Sequence, residues 1–257
     1  MPKEKVAIAI DEPLLRLIDA KVTARAFPSR SQAIEFLLRS AMQEELLKSA
    51  VLLLKGEHQT YSLKKIKGES LLASQVSFLR VNGIKDIHIV TQKSKFYNEF
   101  LGEVERIKHK ERIHMIVHEQ KSQGTANALS LVKNYVSGNF IAMSADLHMR
   151  LNLMAMIKKH LDSGKVATIG LMMRSEPAQF GNAVLDGDLI VDFAEKPKQS
   201  ESKSYAVNAG IYVFSQRVFD FLKGASSSLE RDVFPKLARK GELVGHFTRG
   251  EYRHMEE

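Results

Sequence analysis

The sequence predicts an α/β protein in two unequal parts: a small front module of one strand and two helices, then a larger three-layer domain with a sheet wrapped by helices. From residue 50 onward, short apolar runs alternate with amphipathic helical patterns, the grammar of a parallel sheet covered on both faces. Residues 6–45 instead carry a single period-two run followed by two helical stripes. At roughly 150 residues per domain, a chain of 257 suits one large or two unequal domains.

The front elements follow from local patterns. Val6, Ala7, Ile8, Ala9 and Ile10 alternate in size, placing Val6, Ile8 and Ile10 on one face of a short strand. Asp11 suits a helix cap and Pro13 a first turn, while Leu14, Leu15, Ile18 and Val22 fall at helical spacing, so a helix is expected over 12–25. Phe27-Pro28 breaks it, and Ser29-Arg30-Ser31-Gln32 has the form of a capping box. A second helix then carries Ile34, Leu37, Leu38 and Ala41 as its stripe and runs toward Gln43-Glu44-Glu45. One strand and two helices cannot pair their own strand edge or bury both helices, so the module is expected to form an intertwined homodimer. Whether dimers pair into tetramers stays open.

In the larger part, strands are expected over 50–54, 86–91, 112–118, 139–145, 166–173, 189–194 and 206–214. Helices are expected over 69–81, 95–102, 125–136, 151–163, 216–223 and 229–240, with a turn at Asp186-Gly187-Asp188. The division falls between 1–49 and 50–257, almost without a linker. Met143, Met149, Met154, Met156, Met172 and Met173 read as core filling.

Composition narrows the function. The absence of Cys excludes a disulfide framework, a thiolate nucleophile and thiolate-held zinc. No apolar run approaches the roughly 20 residues of a membrane span, and the N-terminus does not read as a signal peptide, so no membrane partner and a cytoplasmic location are expected. The formal charge of +8 favours an anionic partner. Residues 1–49 hold eight bases against seven acids, so the excess belongs to the rest, including Lys55, Lys64, Lys65 and Lys67.

Two resemblances sharpen this. KVAIAIDEPLLRLID followed by PSRSQAIEFLLRSAM resembles the ribbon-helix-helix DNA-binding domains over nearly all of residues 3–47. The resemblance implies double-stranded DNA as partner, with Lys5, Ala7 and Ala9 facing the bases and the amides of Ser29, Arg30 and Ser31 taking phosphate. Ala7 and Ala9 offer only apolar contact, so Lys3 and Lys5 carry most direct contact.

Downstream, AVLLLKGE, GESLLASQVSFLRVNGIKDIHIVT, QGTANAL, FIAMSADL, FGNAVLDGD, FAEKPK and VNAGIYVFS resemble, in family order, segments of the sugar-phosphate nucleotidyltransferases over about 50–255. That resemblance implies a Rossmann-like, nucleotidyltransferase-like fold. It also implies attack of a sugar 1-phosphate on a nucleotide α-phosphate, with Mg²⁺ holding charge. In its terms Gly56 opens the phosphate loop and Gln123, Gly124 and Thr125 hold the nucleotide. Asp146 takes the metal, and Gly181, Glu195, Lys196, Asn208 and Gly210 hold the sugar and its phosphate.

The chemical parts depart from the family pattern. Gly56-Glu57-His58-Gln59-Thr60 stands where the family has Gly-x-Gly-Thr-Arg, so one glycine and the arginine are replaced. Only Tyr61 to Lys67 stands in for a longer segment bearing a Pro-Lys-Pro lysine; Lys64, Lys65 and Lys67 offer either phosphate charge or a solvated loop. The second metal carboxylate corresponds to Glu251-Tyr252-Arg253-His254, and His254 suits a hard ion poorly, which leaves Glu256 or Glu257.

The sequence therefore reads as a DNA-binding transcriptional regulator whose catalytically degraded domain, a pseudoenzyme requiring no cofactor, binds a nucleotide, sugar phosphate or nucleotide sugar. Two alternatives stay open. One is an active sugar-1-phosphate nucleotidyltransferase that needs Mg²⁺ and uses the front module for oligomerisation; the other is a non-enzymatic assembly scaffold.

Overall fold

The computed structural model describes residues 6–22, 27–41, 47–222 and 228–255, and the chain divides into two compact units, Met1–Leu46 and Leu47–Glu257. In the first unit, residues 6–10 form no strand within the chain, and Val6 and Ile8 are 78% and 56% exposed. The physical reason is that no second strand is available to pair with them among the described residues of this unit. Helix α1 (Glu12–Asp19) is capped by Asp11, whose carboxylate accepts from the Leu14 amide at 2.9 Å, and it ends before the expected residue 25. Helix α2 (Arg30–Ala41) begins after Ser29, whose hydroxyl accepts from the Gln32 amide at 3.3 Å. Ile18, Phe27 and Ala33 form the small core, with the Phe27 and Phe36 rings 5.0 Å apart. The expected run through Gln43-Glu44-Glu45 lies outside the described residues.

In the second unit the elements in chain order are β1 (Ser49–Leu53), α3 (Gln59–Leu63), β2 (Lys65–Ile66), β3 (Glu69–Ser70), α4 (Leu71–Val81) and β4 (Asp86–Thr91). There follow α5 (Tyr97–Glu111), β5 (His114–Glu119), α6 (Thr125–Ser130), β6 (Asn139–Ser144), β7 (Leu147–Arg150), α7 (Leu153–Ser163) and β8 (Ala167–Met173). The chain continues through β9 (Gly181–Asp186), β10 (Leu189–Glu195), β11 (Ala206–Ser215), α8 (Phe234–Arg239), β12 (Leu243–Phe247) and β13 (Glu251–His254). Nine strands make one sheet in the order β5-β4-β1-β6-β11-β8-β12-β10-β9.

The expected parallel sheet is mixed. β5, β4, β1 and β6 run parallel, but β11 runs antiparallel to both β6 and β8, and β9 and β10 form an antiparallel hairpin. Alternation along each strand builds two cores, one per face of the sheet. Val51, Leu53, Phe140 and Phe214 enter one core with Phe234, while Ala50, Leu52, Ile141 and Val213 enter the other with Phe100. Met143, Met149 and Met156 are buried as expected, whereas Met173 is 63% exposed because β8 ends there. No helix among the described residues is long and apolar enough to cross a membrane.

Candidate functional site

At the carboxyl ends of β1, β4 and β6 the chain turns off the sheet, the place where open α/β sheets bind ligands. There Leu54, Lys55, Gln92 and Asp146 meet Phe180, Glu195 and Asn208 from the antiparallel half across a cleft of about 870 Å³, large enough for a nucleotide-sized ligand. Nine of the ten expected ligand-binding residues line it: Gln123, Gly124, Thr125, Asp146, Gly181, Glu195, Lys196, Asn208 and Gly210. Gly56 does not. It starts a short 3-10 turn, Gly56–His58, and a side chain there would come within 2.6 Å of the Gln92 carbonyl oxygen, so packing requires the glycine.

At one end of the cleft, Thr125 opens α6 and its hydroxyl does two things. It donates to Glu230 Oε2 at 2.7 Å and accepts from the Leu229 amide at 2.9 Å. Glu230 also takes the Ser228 hydroxyl at 2.8 Å and the Tyr212 hydroxyl at 3.3 Å. Tyr212 in turn accepts from Asn208 Nδ2 at 2.8 Å, and Asn208 Oδ1 accepts from the Gly210 amide at 2.9 Å. One partly buried carboxylate thus ties the start of α6 to β11.

Gly210 sits at φ 69°, and a side chain there would fall 2.4 Å from Leu147 Cδ1. A side chain at Gly181 would meet Phe193 Cζ at 2.6 Å and Glu195 Oε2 at 2.8 Å, so this glycine keeps Glu195 where it is. Burial, reinforced by the charge of Glu230 and opposed by Lys196 and Arg231, pushes the Glu195 carboxyl up to about 7. Burial likewise holds the Tyr212 hydroxyl well above its ordinary range.

In the middle of the cleft, His58 Nδ1 lies 2.8 Å from Asp146 Oδ2, and the Ser144 hydroxyl donates to Asp146 Oδ1 at 2.7 Å. His58, which stands where the family pattern has its second loop glycine, orients the strand-end aspartate. Glu251 lies elsewhere: it meets His148 Nε2 at 3.4 Å and Lys67 at 3.9 Å on the antiparallel β7–β13 pair and is not part of the cleft wall. Glu256 and Glu257 lie outside the described residues. Among the described residues, no three histidine or acidic side chains gather as a metal cage. A single carboxylate fits Mg²⁺, which binds through one or two carboxylates and completes its shell with water and substrate phosphate. Asp146 would hold it.

Sequence reasoning missed His58 as a site residue, together with Glu230, Tyr212, Phe180 and Tyr252, all of which line the cleft. The Thr125–Glu230 contact joins residues 105 apart in the chain, and no local spacing signals such a contact.

Residues 57–252 match the nucleotidyl transferase family. The chain is 32% identical over 130 residues to the mannose-1-phosphate guanylyltransferase catalytic subunit beta of Drosophila pseudoobscura pseudoobscura, covering 49% of this chain and 34% of that protein. It is 29% identical over 188 residues to the protein of the same name from Danio rerio, covering 70% and 51%. With the bifunctional protein GlmU of Methanococcus vannielii the identity is 27% over 202 residues, covering 74% and 45%. The matches thus span between about a third and a half of these curated relatives. Among solved structures, the fold is shared with a Bacillus anthracis protein assigned as a glucose-1-phosphate thymidylyltransferase and bound to sucrose. That pair has a TM-score of 0.68 at 20% identity, over 81% of this chain and 89% of that one. It is shared equally with a UDP-glucose pyrophosphorylase bound to UDP-glucose, at TM-score 0.68 and 16% identity, over 82% and 94%.

These relatives overturn the reading as a DNA-binding transcriptional regulator and the pseudoenzyme reading with it, since they are named as sugar-phosphate nucleotidyltransferases. Of the residues assigned to DNA, Lys3 and Lys5 lie outside the described residues. Ala7 and Ala9 lie in irregular backbone, Ser31 lies in α2, Ser29 caps α2, and Arg30 is held by Asp19 through two bonds of 2.6 and 2.7 Å. The expectation that no cofactor is required also gives way, because nucleotidyltransferases of this family typically use Mg²⁺. By its sheet, its cleft and the match over residues 57–252, the chain belongs to the nucleotidyl transferase family.

Proposed function

We propose that the protein is a sugar-1-phosphate nucleotidyltransferase whose front unit serves assembly. The observation that carries this reading is the single cleft that brings Gln123-Gly124-Thr125, Asp146 and Glu195-Lys196 together with Asn208 and Gly210. An oxygen of the sugar phosphate attacks the nucleotide α-phosphorus; that P–O bond forms while the bond to pyrophosphate breaks. Gln123 and Gly124 bind the nucleotide, Glu195 and Asn208 orient the sugar, and Lys55 and Lys196 offset phosphate charge. Mg²⁺, when bound, supplies charge stabilisation to the phosphate oxygens; His58 and Ser144 hold the Asp146 carboxylate in one orientation. Mannose 1-phosphate, glucose 1-phosphate and guanine or thymine nucleotides, which the names of the relatives suggest, are the first substrates to try. Such substrates favour a cytoplasmic location. The exposed Val6 and Ile8 edge supports pairing with a second copy of the chain as a homodimer.

The test is pyrophosphate release from each nucleoside triphosphate with a panel of sugar 1-phosphates and Mg²⁺. Release with at least one pair is expected, and Asp146→Asn should lower it by at least about 100-fold. No release from any pair, or full activity in Asp146→Asn, would overturn the reading.

A further inference from the structure

Arg174 follows β8 directly, and its backbone amide is fixed by the Tyr205 carbonyl at 3.0 Å. Its guanidinium carbon lies 5.7 Å from the centre of the Phe180 ring and 5.2 Å from that of Tyr252. Both rings form part of the cleft wall, beside Gly181. Other arginines of the chain hold carboxylates: Arg30 holds Asp19, Arg80 holds Glu111 and Arg106 holds Glu103. Arg174 has no such partner among the described residues, and its Nε is buried without an acceptor. A native protein rarely keeps a buried donor unmet unless a ligand, ion or water meets it. Two aromatic faces hold a guanidinium rigidly while leaving its in-plane donors free, the arrangement suited to a two-pronged grip on phosphate or carboxylate. The anomeric phosphate is already served by Lys196, whose backbone amide donates to the Phe180 carbonyl at 3.1 Å. Arg174 does not itself line the cleft; it packs against two rings that do, and a cation with no carboxylate partner among the described residues, beside the wall that carries Lys196, suits a second anion on the sugar.

We propose that Arg174 is a specificity-determining residue, taking a phosphate or carboxylate carried by the sugar 1-phosphate at a carbon remote from the anomeric one. This rests on the transferase reading above and names its substrate class: doubly anionic sugar 1-phosphates.

The experiment is titration calorimetry on the full chain with glucose 1-phosphate, glucose 1,6-bisphosphate and glucuronic acid 1-phosphate, and with the mannose counterparts. The native protein should bind at least one doubly anionic probe about ten-fold or more tightly than the matching hexose 1-phosphate. Arg174→Gln should erase that gap while leaving hexose 1-phosphate affinity within about two-fold. Arg174→Lys keeps the charge and the ring contacts but loses the fork, and should narrow the gap several-fold; it also serves if the glutamine variant does not fold. No gap in the native protein, no binding by any probe, or an equal loss for all probes in Arg174→Gln would overturn the proposal, the last by showing the clamp to be purely structural. Pyrophosphate release separates the two readings. An Arg174-dependent gap without turnover sinks the transferase reading alone, and turnover of a hexose 1-phosphate without a gap sinks only the role of Arg174.

Discussion

Glu195 concentrates the electrostatics of the cleft in one side chain. Burial and the neighbouring Glu230 push its carboxyl from an ordinary 4.5 up to about 7, against the pull of Lys196 and Arg231. Between those two values the folded protein holds a proton that the unfolded chain has released, so this residue contributes a loss of stability as pH rises through that window. Glu195→Gln removes the ionisation. Its melting temperature should match the native protein at pH 4.5 and exceed it by a few degrees at pH 8, as thermal unfolding across that range will show. Equal pH slopes for the two proteins would contradict the assignment. Gly210 makes a steric prediction at the same scale. Its left-handed φ of 69° and the 2.4 Å approach to Leu147 combine, so Gly210→Ala should destabilise by about 1–3 kcal/mol in urea unfolding. Gly187, also at positive φ but with open space around it, should tolerate Ala at about 1 kcal/mol.

Elements differ in how plainly the sequence announces them. β1, β4 and β6 are buried apolar runs and were legible nearly to the residue. Helix α5 was expected to stop at Gly102, yet it runs to Glu111: Phe100, Val104 and Ile107 continue the buried stripe, and Arg106 and Lys108 pair with Glu103 and Glu105 along the exposed side. A glycine is a weak stop when the apolar period continues through it. β2, β3 and β13 escaped because they are short, polar and paired only in two-stranded sheets. The turn Leu229–Val233 is a π-helix rather than the start of a regular helix, and it carries Glu230 toward Thr125. Thr125→Val should therefore loosen α6 from this turn, removing one donor and one acceptor at once and costing about 1–3 kcal/mol. Thr125→Ser keeps both bonds and should retain most of that stability. If chemical unfolding gives the two variants equal losses, the hydroxyl does not link these elements.

At the scale of the whole molecule, the cleft exists because the sheet joins two halves. The parallel strands β1, β4 and β6 end at Asp146 and Lys55, the antiparallel β9 to β11 supply Glu195, Lys196 and Asn208, and a contact such as Thr125 to Glu230 closes the ring. The segments in family order made this assembly legible, while the physical link through Glu230 was not, since it depends on the three-dimensional meeting of distant segments. The front unit poses a separate problem. Among its described residues the buried core is three, Ile18, Phe27 and Ala33, with Val6, Ile8, Leu14, Leu17 and Leu38 left exposed. So small a core offers little stability on its own, and an unpaired period-two edge invites a like partner, because two such edges satisfy each other's backbone groups and cover both apolar faces. The full chain should therefore sediment as a dimer at micromolar concentration. Ile8→Asp places a charge on the paired face and should weaken the dimer by at least about ten-fold, since burying an unpaired carboxylate costs more than about 1.4 kcal/mol. Pyrophosphate release by that variant should stay unchanged, because Ile8 lies outside the compact unit that holds every residue of the cleft. A monomeric native chain, or a dimer indifferent to Ile8→Asp in sedimentation equilibrium, would assign these exposed residues another role.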